Sequence, residues 1–113
     1  MKIRKFHLYL ADLNPRFGTE PGKIRPVAVL QTDLLNNEHP STIVCPMSTR
    51  VEKNASILRV PVSGEESGLK RDSDVLVDQI RAIDNRRFIR EIGTLSYHHQ
   101  EQLVQNIRTL LME

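Results

Sequence analysis

The chain has 113 residues, with 16 Lys and Arg against 14 Asp and Glu, one cysteine, two Tyr, three Phe and no Trp. That length fits a single domain spanning residues 1–113, and 39% hydrophobic with 27% charged residues argues against global disorder. Uninterrupted apolar runs reach four residues, as at 27–30, far short of the roughly 18 that span a bilayer. The first residues are basic, but Asp12 and Asn14 break any apolar stretch before it reaches signal length. A lone cysteine makes no internal disulfide, so the expected location is the cytoplasm.

Charge is unevenly spread. Residues 1–31 carry six cations (Lys2, Arg4, Lys5, Arg16, Lys23, Arg25) and two acids (Asp12, Glu20), and the remainder is slightly acidic. A basic first third could hold a polyanion such as nucleic acid, but charge alone favours a solvated surface of mixed charge.

Residues 6–13 alternate around Leu8 and Leu10 and predict a first strand. Asn14-Pro15 opens a turn, and the loop after it contains Gly18, Pro21 and Gly22. Residues 25–31 (RPVAVLQ) read as a buried strand with Pro26 near its start. A polar stretch over 32–41, with at most one helical turn, leads to a third strand over 42–51 and a fourth over 56–62. Residues 63–71 form a loop. Residues 74–83 (DVLVDQIRAI) tolerate helix or strand, and their β-branched content favours a strand. A short strand near 92–95 precedes Ser96, a good N-cap for a terminal helix with Leu103, Val104, Ile107, Leu110 and Leu111 at helical spacing. The expectation is a mainly β domain with minor α: a compact antiparallel barrel closed by a C-terminal helix.

Several chemistries find no support. No HExxH or paired CxxC exists, and the adjacent His98 and His99 would point about 100° apart on a helix. They read as surface residues of the first helical turn. Cys45 falls in a buried strand, where a thiol usually serves as a small apolar group. Gly22-Lys23 lacks the rest of a P-loop, and there is no G-x-S-x-G elbow. No metal or cofactor is expected.

What remains is the loop Gly18-Thr19-Glu20-Pro21-Gly22-Lys23 leading into Arg25, and Ser48-Thr49-Arg50 at the end of the next long strand. If these strands are antiparallel neighbours, a register with Arg25 opposite Ser48 also sets Val27 opposite Pro46 and Val29 opposite Val44. Arg25 then stands at the rim of an apolar wall beside a hydroxyl, under an acidic loop. A guanidinium there offers a planar fork of donors to phosphate. A plain surface ion pair between Arg25 and Glu20 fits the same residues.

The sequence resembles the MazF/PemK-like toxins of type II toxin–antitoxin systems. The likeness runs through LYLADLNP at 8–15, the G-x-E and R-P elements within 18–30, CPMSTRV at 45–51, and GLKRDSDVLVDQIRAIDNRRF at 68–88 with its D-Q-I-R-x-I-D core. Phe6-His7 stands where that family usually has Gly and an acid, and Ser48 where many members have Thr. The resemblance implies an SH3-like barrel of the CcdB/PemK kind, a homodimer, and metal-independent, sequence-specific cleavage of single-stranded RNA to 2′,3′-cyclic phosphate and 5′-OH ends. It also implies a cognate antitoxin whose tail occupies the RNA groove. The family's catalytic arginine falls on Arg25, its hydroxyl on Ser48, and its loop acid on Glu20. Phe17, Thr19, Lys23, Thr49 and Arg50 are the expected RNA contacts, while Tyr9 is assigned to core packing. The base is open between Arg25, Glu20 and a water that Glu20 orients, and Thr49 replaces Ser48 if the register slips by one. A different class of function on the same barrel is a non-catalytic binder, either a silent RNA binder or a gyrase inhibitor like CcdB. The gyrase reading relies on a C-terminal Trp-Gly-Ile, and this chain ends Leu111-Met112-Glu113.

Overall fold

The computed structural model describes all 113 residues. Seven strands run β1 (His7–Asp12), β2 (Ile24–Val29), β3 (Ser41–Ser48), β4 (Arg59–Val62), β5 (Ser73–Leu76), β6 (Arg81–Asp84) and β7 (Phe88–Thr94). A one-turn helix, α1 (Gly64–Ser67), follows β4, and α2 (Tyr97–Met112) ends the chain. Every strand pair is antiparallel, in the order β4-β5-β3-β2-β1-β7, with β6 on β3. The expected mainly β fold with one terminal helix is therefore observed. Hydrogen bonding does not close the barrel, however, because β4 and β7 remain edges.

Alternation along β1, β2 and β3 fills both faces of the sheet. On one face Tyr9, Ala11, Leu13, Val27, Val29 and Val44 join Ile83 and Phe88. Tyr9 meets Phe88 edge-on with ring centroids 5.4 Å apart, and its hydroxyl donates to the Lys2 carbonyl. Core packing is thus its role. On the other face Leu8, Ala28, Cys45 and Met47 pack with Val60, Val62, Val75 and Val77 beneath Leu103 of α2. Burying each Val, Leu, Ile, Met or Phe among them contributes about 1.5–3 kcal/mol, so the paired faces fix strand register strongly.

The register across β2 and β3 is Val27 opposite Pro46 and Val29 opposite Val44, as the alternation predicts. Elsewhere the elements differ from expectation. Residues 74–83 form two strands instead of one, β5 and β6, separated by a 3₁₀ turn at Val77–Gln79. Both lie along the same edge of β3, β6 on Ser41–Val44 and β5 on Met47–Ser48. The last strand begins at Phe88, the third stops at Ser48, and residues 32–40 make turns without a helix. Ser96 caps α2, its Oγ accepting from the His99 amide. The core-facing stripe of α2 is the buried Leu103 with the half-buried Ile107 and Leu110, while Val104 and Leu111 are exposed. His99 is buried as well, whereas His98 stays on the surface. No helix is long and apolar enough to cross a membrane.

Candidate active site

Arg25 enters the structure at the second position of β2, opposite Ala11 on β1. The loop before it is tied at its base by the Leu13 amide donating to the Lys23 carbonyl (2.9 Å) and the Lys23 amide donating to Asn14 Oδ1 (2.8 Å). Gly18 takes a positive φ of 59° at the loop's turn, a conformation that suits glycine. Gly22 is needed for another reason: a Cβ there would stand 2.6 Å from Cβ of Arg16. This close approach brings the Gly22 carbonyl round to accept from Arg25 Nε at 2.8 Å. A second carbonyl, that of Met47 on β3, accepts from Arg25 Nη1 at 3.3 Å.

Two neutral carbonyls therefore orient the guanidinium while no carboxylate neutralises it. The surface pair with Glu20 does not form, as the ion pairs present are His7–Glu91, Arg59–Asp74 and Arg86–Asp84. Burial, followed by repulsion from Arg16, lowers the Arg25 pKa from its usual value. A half-buried cation with a preset orientation and no counter-ion is a site for an anion.

Ser48 closes β3. Continuing the β2–β3 register by two residues sets it opposite Arg25, and on its other edge it faces Asp74 of β5. Its Oγ accepts from the Arg50 amide at 3.1 Å, which turns the chain out of the strand and leaves the hydroxyl proton free to donate. That bond explains why the strand ends at Ser48 and not at Val51.

A cleft of about 660 Å³ opens over these groups. It brings together Arg25, Ser48, Glu20, Thr19, Lys23, Thr49 and Arg50, seven of the eight residues singled out by the sequence. Phe17 is not in its wall and stands 81% exposed on the same loop. Arg16, Met47 and Ser73 also line the cleft and were not anticipated. Arg16 was visible in the sequence only as one more charge of the basic first third. Four cations (Arg16, Lys23, Arg25, Arg50) face one acid, Glu20, so the cleft attracts polyanions. A larger cavity of about 930 Å³, between β4 and α2, has the opposite balance. Glu52, Glu66, Asp72 and Asp74 outnumber Lys53 and Arg59 there, which makes it a poor seat for a phosphate backbone.

Likeness to known proteins extends over nearly the whole chain. The model of the family described as PemK-like, MazF-like toxin of type II toxin–antitoxin system matches residues 4–111. The chain belongs to that family. Among curated relatives, Endoribonuclease EndoA of Bacillus subtilis (strain 168) is 36% identical over 95 residues, covering 84% of this chain and 82% of the relative. Among solved structures, MazF from Deinococcus radiodurans superposes with a TM-score of 0.86 at 21% identity, over 100% of this chain and 99% of that one. A MazE–MazF structure from the same organism gives 0.78 at 18% identity, over 99% and 97%. At those identities the two structures establish the shared fold. The PemK/MazF assignment rests on the family model and on the EndoA match.

Proposed function

We propose that this chain is an endoribonuclease toxin that cuts single-stranded RNA, including mRNA, without a metal ion, and so halts translation. It works as a homodimer in the cytoplasm and is held in check by a cognate antitoxin. The observation that carries the reading is the unneutralised Arg25 guanidinium, aimed by the Gly22 and Met47 carbonyls into a cationic cleft beside the Ser48 hydroxyl. The name of the EndoA relative supports RNA as substrate, and the Deinococcus MazE–MazF structure supports an antitoxin partner.

RNA carries its own nucleophile. The 2′-oxygen attacks the adjacent phosphorus, the bond from phosphorus to the 5′-oxygen breaks, and the products are a 2′,3′-cyclic phosphate and a 5′-OH. Negative charge grows on the non-bridging oxygens, where Arg25 and the Ser48 hydroxyl donate hydrogen bonds. One proton leaves the 2′-OH and one arrives on the 5′-oxygen. Arg25, its pKa lowered by burial, supplies the second. Glu20, the sole carboxylate of the cleft wall, accepts the first directly or through a water. Lys23, Arg50, Thr19 and Thr49 hold the flanking backbone, and Phe17, projecting from the loop, offers a face for base stacking. The test is to incubate the protein with a long RNA in EDTA and map the ends. Cyclic phosphate and 5′-OH ends at recurring sequences support the reading, and intact RNA refutes it.

A further inference from the structure

Beyond Ser48 the chain runs exposed from Thr49 to Asn54, and Thr49 and Arg50 form one wall of the cleft. Besides the bond from the Arg50 amide to Ser48 Oγ, two hydrogen bonds tie this segment to the rest of the protein. The Glu52 amide donates to Asp74 Oδ2 (2.8 Å), and Arg59 Nη1 donates to the Arg50 carbonyl (2.9 Å). The same Arg59 nitrogen donates to the same Asp74 oxygen at 3.2 Å. No backbone–backbone hydrogen bond anchors residues 49–54. Asp74 is 1% exposed and stands on β5 directly opposite Ser48 of β3.

A buried ion pair is a weak source of stability compared with apolar side chains of similar size. Leu76, opposite Arg59 and on the same face of β5 as Asp74, is buried, so an apolar side chain fits this face. What Arg59 and Asp74 provide, and apolar residues cannot, is a donor for carbonyl 50 and an acceptor for amide 52.

We infer that Arg59 and Asp74 are positioning residues, a strut that holds segment 49–54 in place as the cleft wall and so sets which nucleotide beside the scissile phosphate is accepted. This inference rests on the RNA-cleavage reading. The pair makes no hydrogen bond to Arg25 or to the Ser48 side chain. Its loss should therefore weaken and blur substrate binding more than it slows the chemical step.

The decisive variant replaces both partners with apolar residues, Arg59→Leu with Asp74→Val, which removes the strut without leaving a charge buried alone. Expected is a melting temperature no lower than wild type and kcat within about threefold. KM should rise about tenfold, and discrimination between the preferred site and single-base variants of it should fall about tenfold. Asp74→Asn, which keeps an oxygen for the Glu52 amide, should fall between wild type and the double variant. It also decides the matter if the double variant fails to fold. A folded variant with unchanged KM and an unchanged map of cut sites overturns the inference, as does a loss confined to kcat. Wild-type protein that cuts no RNA overturns the cleavage reading itself, whereas a cutting wild type with an indifferent double variant overturns the strut alone.

Discussion

Replacing Gly22 by Ala tests whether the loop exists to aim Arg25. The new Cβ would lie 2.6 Å from Cβ and 3.2 Å from Cα of Arg16, whereas carbon atoms rest at about 3.5–4.0 Å. Relief therefore needs a shift of roughly 1 Å, and because one of the clashing atoms is backbone, the loop itself must move. The carbonyl of residue 22 moves with it, and Arg25 Nε loses its 2.8 Å acceptor. A misplacement of about 1 Å in a group that acts on the reacting phosphate costs up to about 100-fold in rate. The cost in stability is smaller, about 1–2 kcal/mol, because an exposed loop relaxes more easily than a core and alanine also restrains the unfolded chain. Gly18→Ala is the matched control. Gly18 has a positive φ of 59° but open space around it, so alanine there strains the backbone by about 1–2 kcal/mol without touching the Arg25 anchor. Steady-state cleavage of a short RNA, with thermal unfolding of each variant, should show a large kcat loss for Gly22→Ala and a small one for Gly18→Ala. Equal activities in two folded variants would refute the anchoring argument.

Ser48→Ala should raise the barrier by about 2–4 kcal/mol, the value of one donor to a developing oxyanion, and Thr49→Ala should cost less; the reverse order in single-turnover rates would mean that the neighbouring hydroxyl faces the phosphate. If the four cleft cations each neutralise one phosphate, the affinity for single-stranded RNA should fall about 50-fold between 50 and 200 mM salt. A flat salt titration would remove the cationic cleft from the account. Burial lowers the His99 pKa from its usual 6.5, with repulsion from His98 adding to it and Glu66 opposing. The unfolded chain therefore takes up this proton first as pH falls, so the His99 contribution is complete above about pH 6.5 and is lost as pH drops through the folded-state value. Denaturant unfolding at pH 7.5 and 5.5 should show that loss in wild type and less of it in His99→Gln.

The central strands were legible because alternation over Val27, Val29, Val44 and Pro46 leaves one register that buries both faces, and that register carries Arg25 towards Ser48. The break in residues 74–83 was not legible. Val75, Val77 and Ile83 are apolar on either reading, and the 3₁₀ turn arises from two separate pairings with the same edge of β3. The start of β7 was hidden by its position at a sheet edge, where Ile89, Arg90 and Glu91 are all exposed and show no alternation. Within the site, the charge and hydroxyl types were readable, but the partners of Arg25 were not. Main-chain carbonyls of Gly22 and Met47 hold it, and carbonyls carry no signature in the sequence. The Arg59–Asp74 pair joins two strands 15 residues apart, and neither residue stands out without the fold.

If Arg25 supplies the charge on which phosphodiester cleavage depends, its loss must show in the ends mapped on a long RNA. Wild-type protein and Arg25→Ala would be compared in EDTA, with folding checked by circular dichroism and RNA affinity by filter binding. Expected are 2′,3′-cyclic phosphate and 5′-OH ends at recurring sequences for wild type, and a folded Arg25→Ala protein that still binds RNA but leaves it intact. Arg25 acts mainly on charge that grows in the transition state, so turnover should suffer far more than binding. A folded Arg25→Ala protein that cuts at the wild-type rate would contradict the claim.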